Sequence, residues 1–310
     1  MNEVRSQTIE GIQKLAAGVI ATSPAGHRLC LIGGFRYRLL SHSCRTSLDI
    51  DYHWDGNLDG KQMEIVDLLR SKLLPEVKRR FGYEGTVSPA TGPDAKSPFV
   101  RTVLASFHRT GETPNAAKLS SSFDPNRNPN RNPNPFSTSG LRSRLRWQQP
   151  LNLAALGETP DRIELPVEVT CIPCLDKPVV RTVSGAVYLT ASDADMIESK
   201  VIALFNRLFL EERDILDLFL FQDTFVADAA KRLRTKFDKM KISPESVADR
   251  CERLLRNRAI HARALNEIIS NQVEAAVAAN LKTAGGGSLI LDTVVTLLAD
   301  KLGIPKGDGS

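Results

Sequence analysis

The chain has 310 residues, 42% of them hydrophobic and 25% charged, with a formal net charge of +5. This is ordinary composition for one large domain or two of common size, and it leaves ample apolar material for a core. No apolar run approaches the ~20 residues needed to cross a bilayer. The opening stretch MNEVRSQTIEGIQKLAAGVI lacks the clean apolar core of a secretion signal, and the five cysteines are an odd number without framework spacing. A cytoplasmic chain with reduced thiols and no membrane partner is the expectation.

In chain order, the opening stretch reads as an amphipathic helix. Residues 27–33 (HRLCLIG) read as a short buried strand that ends in Gly33-Gly34, and residues 35–40 as a helical turn or short helix. Residues 47–54 (SLDIDYHW) alternate strictly and predict a second strand. The apolar spacing of residues 61–81 predicts a helix kinked or ended at Pro75, and residues 98–108 predict a third strand. Residues 111–140 hold the Pro/Asn tract SFDPNRNPNRNPNPFSTSG, too poor in apolar side chains to offset chain entropy by burial, so a mobile surface insertion is expected there.

Strand character resumes at 141–147, 161–170 and 186–190. From Ser192, an N-cap candidate with Asp195 three residues on, helices are expected at 197–210, 212–222, 224–239, 244–257, 259–278 and 289–302. The predicted fold class is α+β: a mixed sheet with flanking helices over 1–190, followed by an all-helical part over 191–310.

Several features have bland and functional readings side by side. Cys171-x-x-Cys174 has no second Cys/His pair at zinc-site spacing, so buried structural thiols are the better reading. Basic residues gather at Arg142, Arg144 and Arg146, at Lys231, Arg232, Arg234, Lys236, Lys239 and Lys241, and at Arg253, Arg256, Arg258 and Arg263. Such clusters suit either phosphate contacts or solvated helix faces.

The chemistry is concentrated around Asp49 and Asp51. Two residues apart on a strand, they leave one face while Leu48, Ile50 and Tyr52 leave the other. Carboxylates that close repel, and a hard divalent cation such as magnesium relieves the repulsion. A bare D-x-D is more often a polar strand face. Here it follows a buried strand, a Gly-Gly turn and a helix start, where free N–H groups favour a phosphate.

LIGGFRYRLLSHSCRTSLDIDYHW resembles the first motif of the polymerase-beta-type nucleotidyltransferases. It is most similar to the AbiEii group of toxins from type IV toxin–antitoxin systems, with Cys44-Arg45-Thr46-Ser47 where that group has Arg-x-Ser before its acid pair. A second stretch, Glu198 to Arg207 followed by Glu212-Arg213-Asp214-Ile215-Leu216-Asp217-Leu218, resembles the group's helical motif with its lysine, arginine and Arg-Asp-x-x-Asp-Leu. Phe35 departs from the pattern, standing where a small or hydroxyl residue is usual after the glycines.

The resemblance implies a third acid on another strand, for which Glu168 is the choice and Glu164 the fallback. It further implies two magnesium ions on Asp49, Asp51 and Glu168. A nucleoside triphosphate would be held by Gly33, Gly34, Arg45, Ser47, Lys200 and Arg207, with Asp214 and Asp217 steadying the basic groups or helping to deprotonate the acceptor. The implied acceptor is RNA, perhaps a tRNA end, and the implied partner is a cognate antitoxin. The alternatives are a small-molecule nucleotidyltransferase of the antibiotic-modifying type, a D-x-D glycosyltransferase, and a non-catalytic nucleotide-binding module of the same fold.

Overall fold

The computed structural model describes residues 3–54, 56–90, 100–109, 162–207 and 210–303. The insertion expected at 111–140, the strand expected at 141–147 and the arginines of the latter lie outside the described residues.

Helix α1 (Glu3–Ala21) buries Ile9, Ile12, Ala16 and Ile20, the spacing of one helix face. The chain then forms β1 (Cys30–Ile32), α2 (Gly33–Leu40) and β2 (Ile50–His53). Next come α3 (Lys61–Leu68), a π turn at Leu69–Leu73 and α4 (Leu74–Phe81). Pro75 sits in the first turn of α4, where its missing N–H costs least, and the π turn before it absorbs the change of path. Strands β3 (Tyr83–Pro89), β4 (Val100–Arg109), β5 (Ile163–Thr170), β6 (Val179–Val183) and β7 (Ala186–Thr190) complete the sheet.

The seven described strands lie in the order β3-β4-β5-β2-β1-β7-β6. β2 is central, parallel to β5 and antiparallel to β1. Two strands were not expected from sequence, β3 and β6, and these are the two edges of the sheet. An edge strand buries little; β3 buries Val87 alone and β6 buries nothing fully, so neither carries a readable alternation.

One face of the sheet is the main core. Leu31, Ile50, Tyr52, Val167 and Val169 pack there with α1 and with Ile65, Leu69 and Val77 of the α3–α4 arm. Asp51 and Glu168 leave the opposite face, toward the helical half. That half comprises α5 (Asp193–Asn206), α6 (Glu212–Leu220), α7 (Ala229–Met240), α8 (Pro244–Arg256), α9 (Arg258–Gln272), α10 (Ala275–Thr283) and α11 (Gly286–Leu302). It has its own core, centred on Val201, Leu216, Leu233, Leu265 and Ile290. A smaller cluster of Ile32, Tyr37, Ala191 and Met196, with Tyr37 stacked on Phe221 at 3.9 Å between ring centroids, links the two.

Ser192 caps α5 by accepting the Asp195 N–H at 3.0 Å, as its spacing predicts. The single helix expected over 259–278 is a correction. Val273 adopts an extended backbone (φ −105°, ψ 144°) and splits it into α9 and α10, although neither Gly nor Pro stands there. Among the described residues no single helix is long and apolar enough to cross a membrane; the apolar pair α10–α11 turns through 77°, and Ile290, Leu291, Val294 and Leu298 fill the helical core. All five cysteines are free thiols.

The second basic cluster reads differently in three dimensions. Lys236 is 1% exposed and meets Asp195 and Glu198 at 2.7 Å each, while Arg232 pairs with Glu198 at 2.6 Å and with both oxygens of Asp176 at 2.9 Å. These two cations tie α7 to α5 and to the approach to β6, and are neither a solvated face nor an open phosphate patch. Removing one partner of a buried group of charges leaves the rest uncompensated. Lys236→Ala is therefore expected to destabilise the fold by about 3 kcal/mol in urea unfolding. Exposed Lys231, one turn away, should cost no more than about 0.5 kcal/mol on the same change.

Candidate active site

β1 runs apolar and buried into Gly33, whose φ of +76° turns the chain directly into α2. Two constraints require glycine here. The left-handed backbone at Gly33 disfavours a side chain, and a Cβ at that position would collide with the Asp51 carboxylate. A Cβ on Gly34 would collide with the guanidinium of Arg45 and crowd Ser47. The glycine pair thus lets the acid, the arginine and the serine lie against the start of α2. The N-cap residue, Ile32, has no side-chain acceptor for that helix start, and N–H groups at a helix start are of the kind that receive an anion.

Parallel pairing of β2 with β5 sets Asp51 opposite Glu168. Glu164, four residues earlier, is opposite Ser106 of β4 and paired with Arg162 at 2.6 Å. Asp49 lies at the bend just before β2 and accepts the Ser47 hydroxyl at 2.7 Å. The three carboxylates act on one another. Burial, then the charges of Asp49 and Glu168, push the Asp51 carboxyl well above the usual carboxylate range against the pull of Lys200 and Arg207. Asp49 goes the other way. Burial would raise it, but Arg213, the Ser47 hydrogen bond, Arg45 and Lys200 together hold it below its ordinary value.

The helical half contributes a second layer of charge. Arg45, 4% exposed at the side chain, grips Asp217 through Nε at 2.7 Å and Nη2 at 2.8 Å. Lys200 Nζ meets Asp214 at 2.8 Å and Asp217 at 3.0 Å, and Arg207 meets Asp214 at 2.8 Å. Despite burial, Lys200 is raised by Asp214 and Asp217 and remains an ammonium. Each acid is held ionised by the same contacts. Arg213, in the first turn of α6, reaches back to Asp49 at 3.7 Å.

Contacts and strand register thus join Gly33, Gly34, Arg45, Ser47, Asp49, Asp51 and Glu168 to Lys200, Arg207, Asp214 and Asp217, whereas Glu164 pairs with Arg162 instead. Arg45 is placed to join the halves rather than to project into open space, and Lys200 is shared between two carboxylates. Arg213 and Gln13 were given no role from sequence. Arg213 stands inside the Arg-Asp-x-x-Asp run, which was the available signal; Gln13 of α1 donates to the Ser47 carbonyl at 2.9 Å, and nothing local in the sequence marks it.

Among the described residues no three His, Cys, Asp or Glu side chains already close round a metal-sized space. The donor chemistry still suits a hard divalent cation: Asp49, Asp51 and Glu168 offer oxygens, and Asp51 carries the electrostatic mark of crowded like charges.

No family model matches the chain, and no curated protein matches its sequence. Solved structures do match in shape. A candidate nucleotidyltransferase from H. pylori has a TM-score of 0.51 at 13% identity, with 98% of each chain covered. MenT4, a nucleotidyltransferase toxin from Mycobacterium tuberculosis H37Rv, has a TM-score of 0.50 at 11% identity, with 95% of this chain and 84% of that one covered.

The chain has the nucleotidyltransferase fold. Within that fold Asp51 packs against the Gly33 turn and opposite Glu168, Asp49 lies at the bend just before, and Lys200, Arg207 and Arg213 come from the helices that follow and the turn between them.

The charge layer has a pH signature. Against the effect of burial, Arg45 and Lys200 hold the Asp217 carboxyl down at about 2, from an ordinary 3.8. A depressed folded-state pKa means that its stabilisation is complete above about 4 and is lost as pH falls through about 2. Melting temperatures from pH 5 to pH 2 should fall steeply in the wild type. The Asp217→Asn protein, already less stable at pH 5 because Arg45 loses its partner, should show a shallower acid slope.

Proposed function

We propose that the chain is a metal-dependent nucleotidyltransferase that moves a nucleotidyl group from a nucleoside triphosphate to a hydroxyl acceptor. The observation that carries this reading is the packing of Asp51 against Gly33. It sets an acid cluster beside a helix start with no side-chain cap, so a cation on the acids and a phosphate at the helix start would adjoin. Charge balance supports it. Arg45, Lys200, Arg207 and Arg213 face Asp49, Asp51, Glu168, Asp214 and Asp217, four basic groups against five acidic ones. A polyanionic triphosphate entering such a place needs divalent cations with it.

Asp49, Asp51 and Glu168 are the residues that would hold magnesium, which when bound supplies positive charge to the attacking and leaving oxygens of an in-line displacement. The N–H groups opening α2 would receive phosphate oxygens, and the half-exposed Arg207 would add a cation at the edge. Lys200 would share its charge between the triphosphate and its two acids. Asp214, kept ionised, steadies Lys200 and Arg207, and Arg45 holds the Asp49 approach to α6. The acceptor hydroxyl would attack the α-phosphorus and pass its proton to a site carboxylate or to water, as the bond to the bridging oxygen breaks and pyrophosphate departs.

An RNA acceptor and a toxin's role rest on the AbiEii-like motifs and on the description of MenT4 as a toxin. An antitoxin would follow from that role. Incubation with each labelled triphosphate, with total tRNA or with small hydroxylated acceptors, separates the RNA reading from the small-molecule one. Absence of transfer to either, with triphosphate still bound, would favour a binding module.

Asp51→Asn should lower transfer by roughly a hundredfold or more. It relieves the repulsion from Asp49 and Glu168, so the melting temperature should stay level or rise. Transfer at wild-type rate would overturn the site. Lys200→Ala should weaken triphosphate binding far more than Lys231→Ala; equal dissociation constants for the two folded variants would remove Lys200 from the phosphate site.

A further inference from the structure

The break between α9 and α10 has a counterpart elsewhere in the chain. Helix ends leave backbone C=O and N–H groups without helical partners. Here two of them are taken up by the segment that leads into the acid pair. The Gln272 carbonyl accepts the Thr46 N–H at 2.8 Å and the Thr46 hydroxyl at 3.2 Å, and the Glu274 N–H donates to the Cys44 carbonyl at 3.0 Å. Arg45 and Val273 are thereby paired as an antiparallel bridge across more than two hundred residues of sequence. The residues of that short ladder are Cys44, Arg45 and Thr46. Arg45 grips Asp217, and Ser47, the next residue, donates to Asp49. Gln13 holds the Ser47 carbonyl from the α1 side. Arg38 adds a lateral tie, donating to the Ser43 carbonyl at 2.7 Å and to Glu274 at 2.6 Å.

We infer that residues 272–274 form a positioning strap, through which the C-terminal helices set where Asp49 stands relative to Asp51. This rests on the function proposed above and gives the tail after α6 a part in it. Two features support a positioning role over a merely structural one. The strap interrupts a sequence with full helical spacing and no breaker, so the ladder to residues 44–46 replaces helical hydrogen bonds that the sequence could have kept. It also bonds to the chain just before Asp49, where a small displacement changes carboxylate placement, and reacting geometry is sensitive to errors of about 1 Å.

The backbone at 274 permits a clean test. Glu274 has φ −55° and ψ 136°, which proline adopts, and Val273 is already extended, as a residue before proline must be. Glu274→Pro removes the N–H that bonds to Cys44, while Glu274→Ala removes the same side chain and keeps that N–H. Comparing the two isolates the strap from the Arg38 ion pair. The assay uses the full chain, Mg2+, the four labelled ribonucleoside triphosphates and total tRNA, with amide hydrogen exchange measured in parallel.

Relative to Glu274→Ala, Glu274→Pro should lower kcat about tenfold, leave the triphosphate KM within twofold, and speed exchange at residues 44–51. Thr46→Val, which deletes only the hydroxyl bond, should show the same kcat-selective loss on a smaller scale, and it serves if the proline variant does not fold. Wild-type transfer with equal kcat for the proline and alanine variants, or with no kcat loss in Thr46→Val where that variant stands in, overturns the strap. A wild-type protein that transfers no nucleotide to any acceptor overturns the function beneath it, and the strap's catalytic part with it.

Discussion

The buried pair of Arg45 and Asp217 is the contact on which the rest of the site depends. Both side chains are almost wholly removed from water, and each would be costly to bury alone. Arg45 belongs to the approach to β2 and Asp217 to α6, so neither half can complete its charge pairing without the other. Lys200 shares the same Asp217 carboxylate, and through Asp214 the chain of contacts continues to Arg207. A cation from the sheet half and an acid from the helical half thus join the two, and the helical half's own Lys200 and Arg207 extend the network from that joint.

The other side of that arrangement is Asp51. Burial, then the charges of Asp49 and Glu168, push it toward the protonated form against the pull of Lys200 and Arg207, cations that are shared with Asp214. A site optimised for stability alone would not gather three acids on two adjoining strands and the bend before one of them. Retaining them beside a helix start with no side-chain cap is the pattern expected where stability is given up to favour binding of a cation and an anion together. The glycines belong to the same trade. Gly33 and Gly34 surrender backbone order so that a carboxylate and a guanidinium can touch the helix start.

The sequence alone made the central parts of this legible. β1, the Gly-Gly turn and the D-x-D strand could be read because an apolar run ends at two glycines and acids alternate with apolar residues after it, and Ser192 could be read as a cap from its spacing to Asp195. The edge strands β3 and β6 could not, since little of either is buried and periodicity records burial. The pairing of Glu168 with Asp51 is a matter of register between strands over a hundred residues apart. Apolar flanks on both sides of Glu168 marked a buried strand, but only the ladder distinguishes it from Glu164. The roles of Lys236 and Arg232 were equally hidden: a run of cations on a helix looks the same whether its partners are water or carboxylates on another helix.

The helix break at Val273 teaches the most about where local reading fails. Residues 259–278 contain good helix formers and regular apolar spacing, so intrinsic preference favours one helix. Two backbone hydrogen bonds to residues 44–46, the Thr46 hydroxyl and burial of Val273 together outweigh that preference. Val273 eases the change, since a β-branched residue loses side-chain freedom in a helix and sits comfortably in an extended backbone. The partner segment pairs locally only in part: His42 turns it with a positive φ, Ser43 returns its N–H to Tyr37, and the Arg45 N–H goes to the Ser43 hydroxyl at 3.1 Å. The Cys44 carbonyl and the Thr46 N–H are the groups that residues 272–274 take up. The break in the helix and the bend before the acids are complementary features, each of which would leave buried polar groups unpaired without the other.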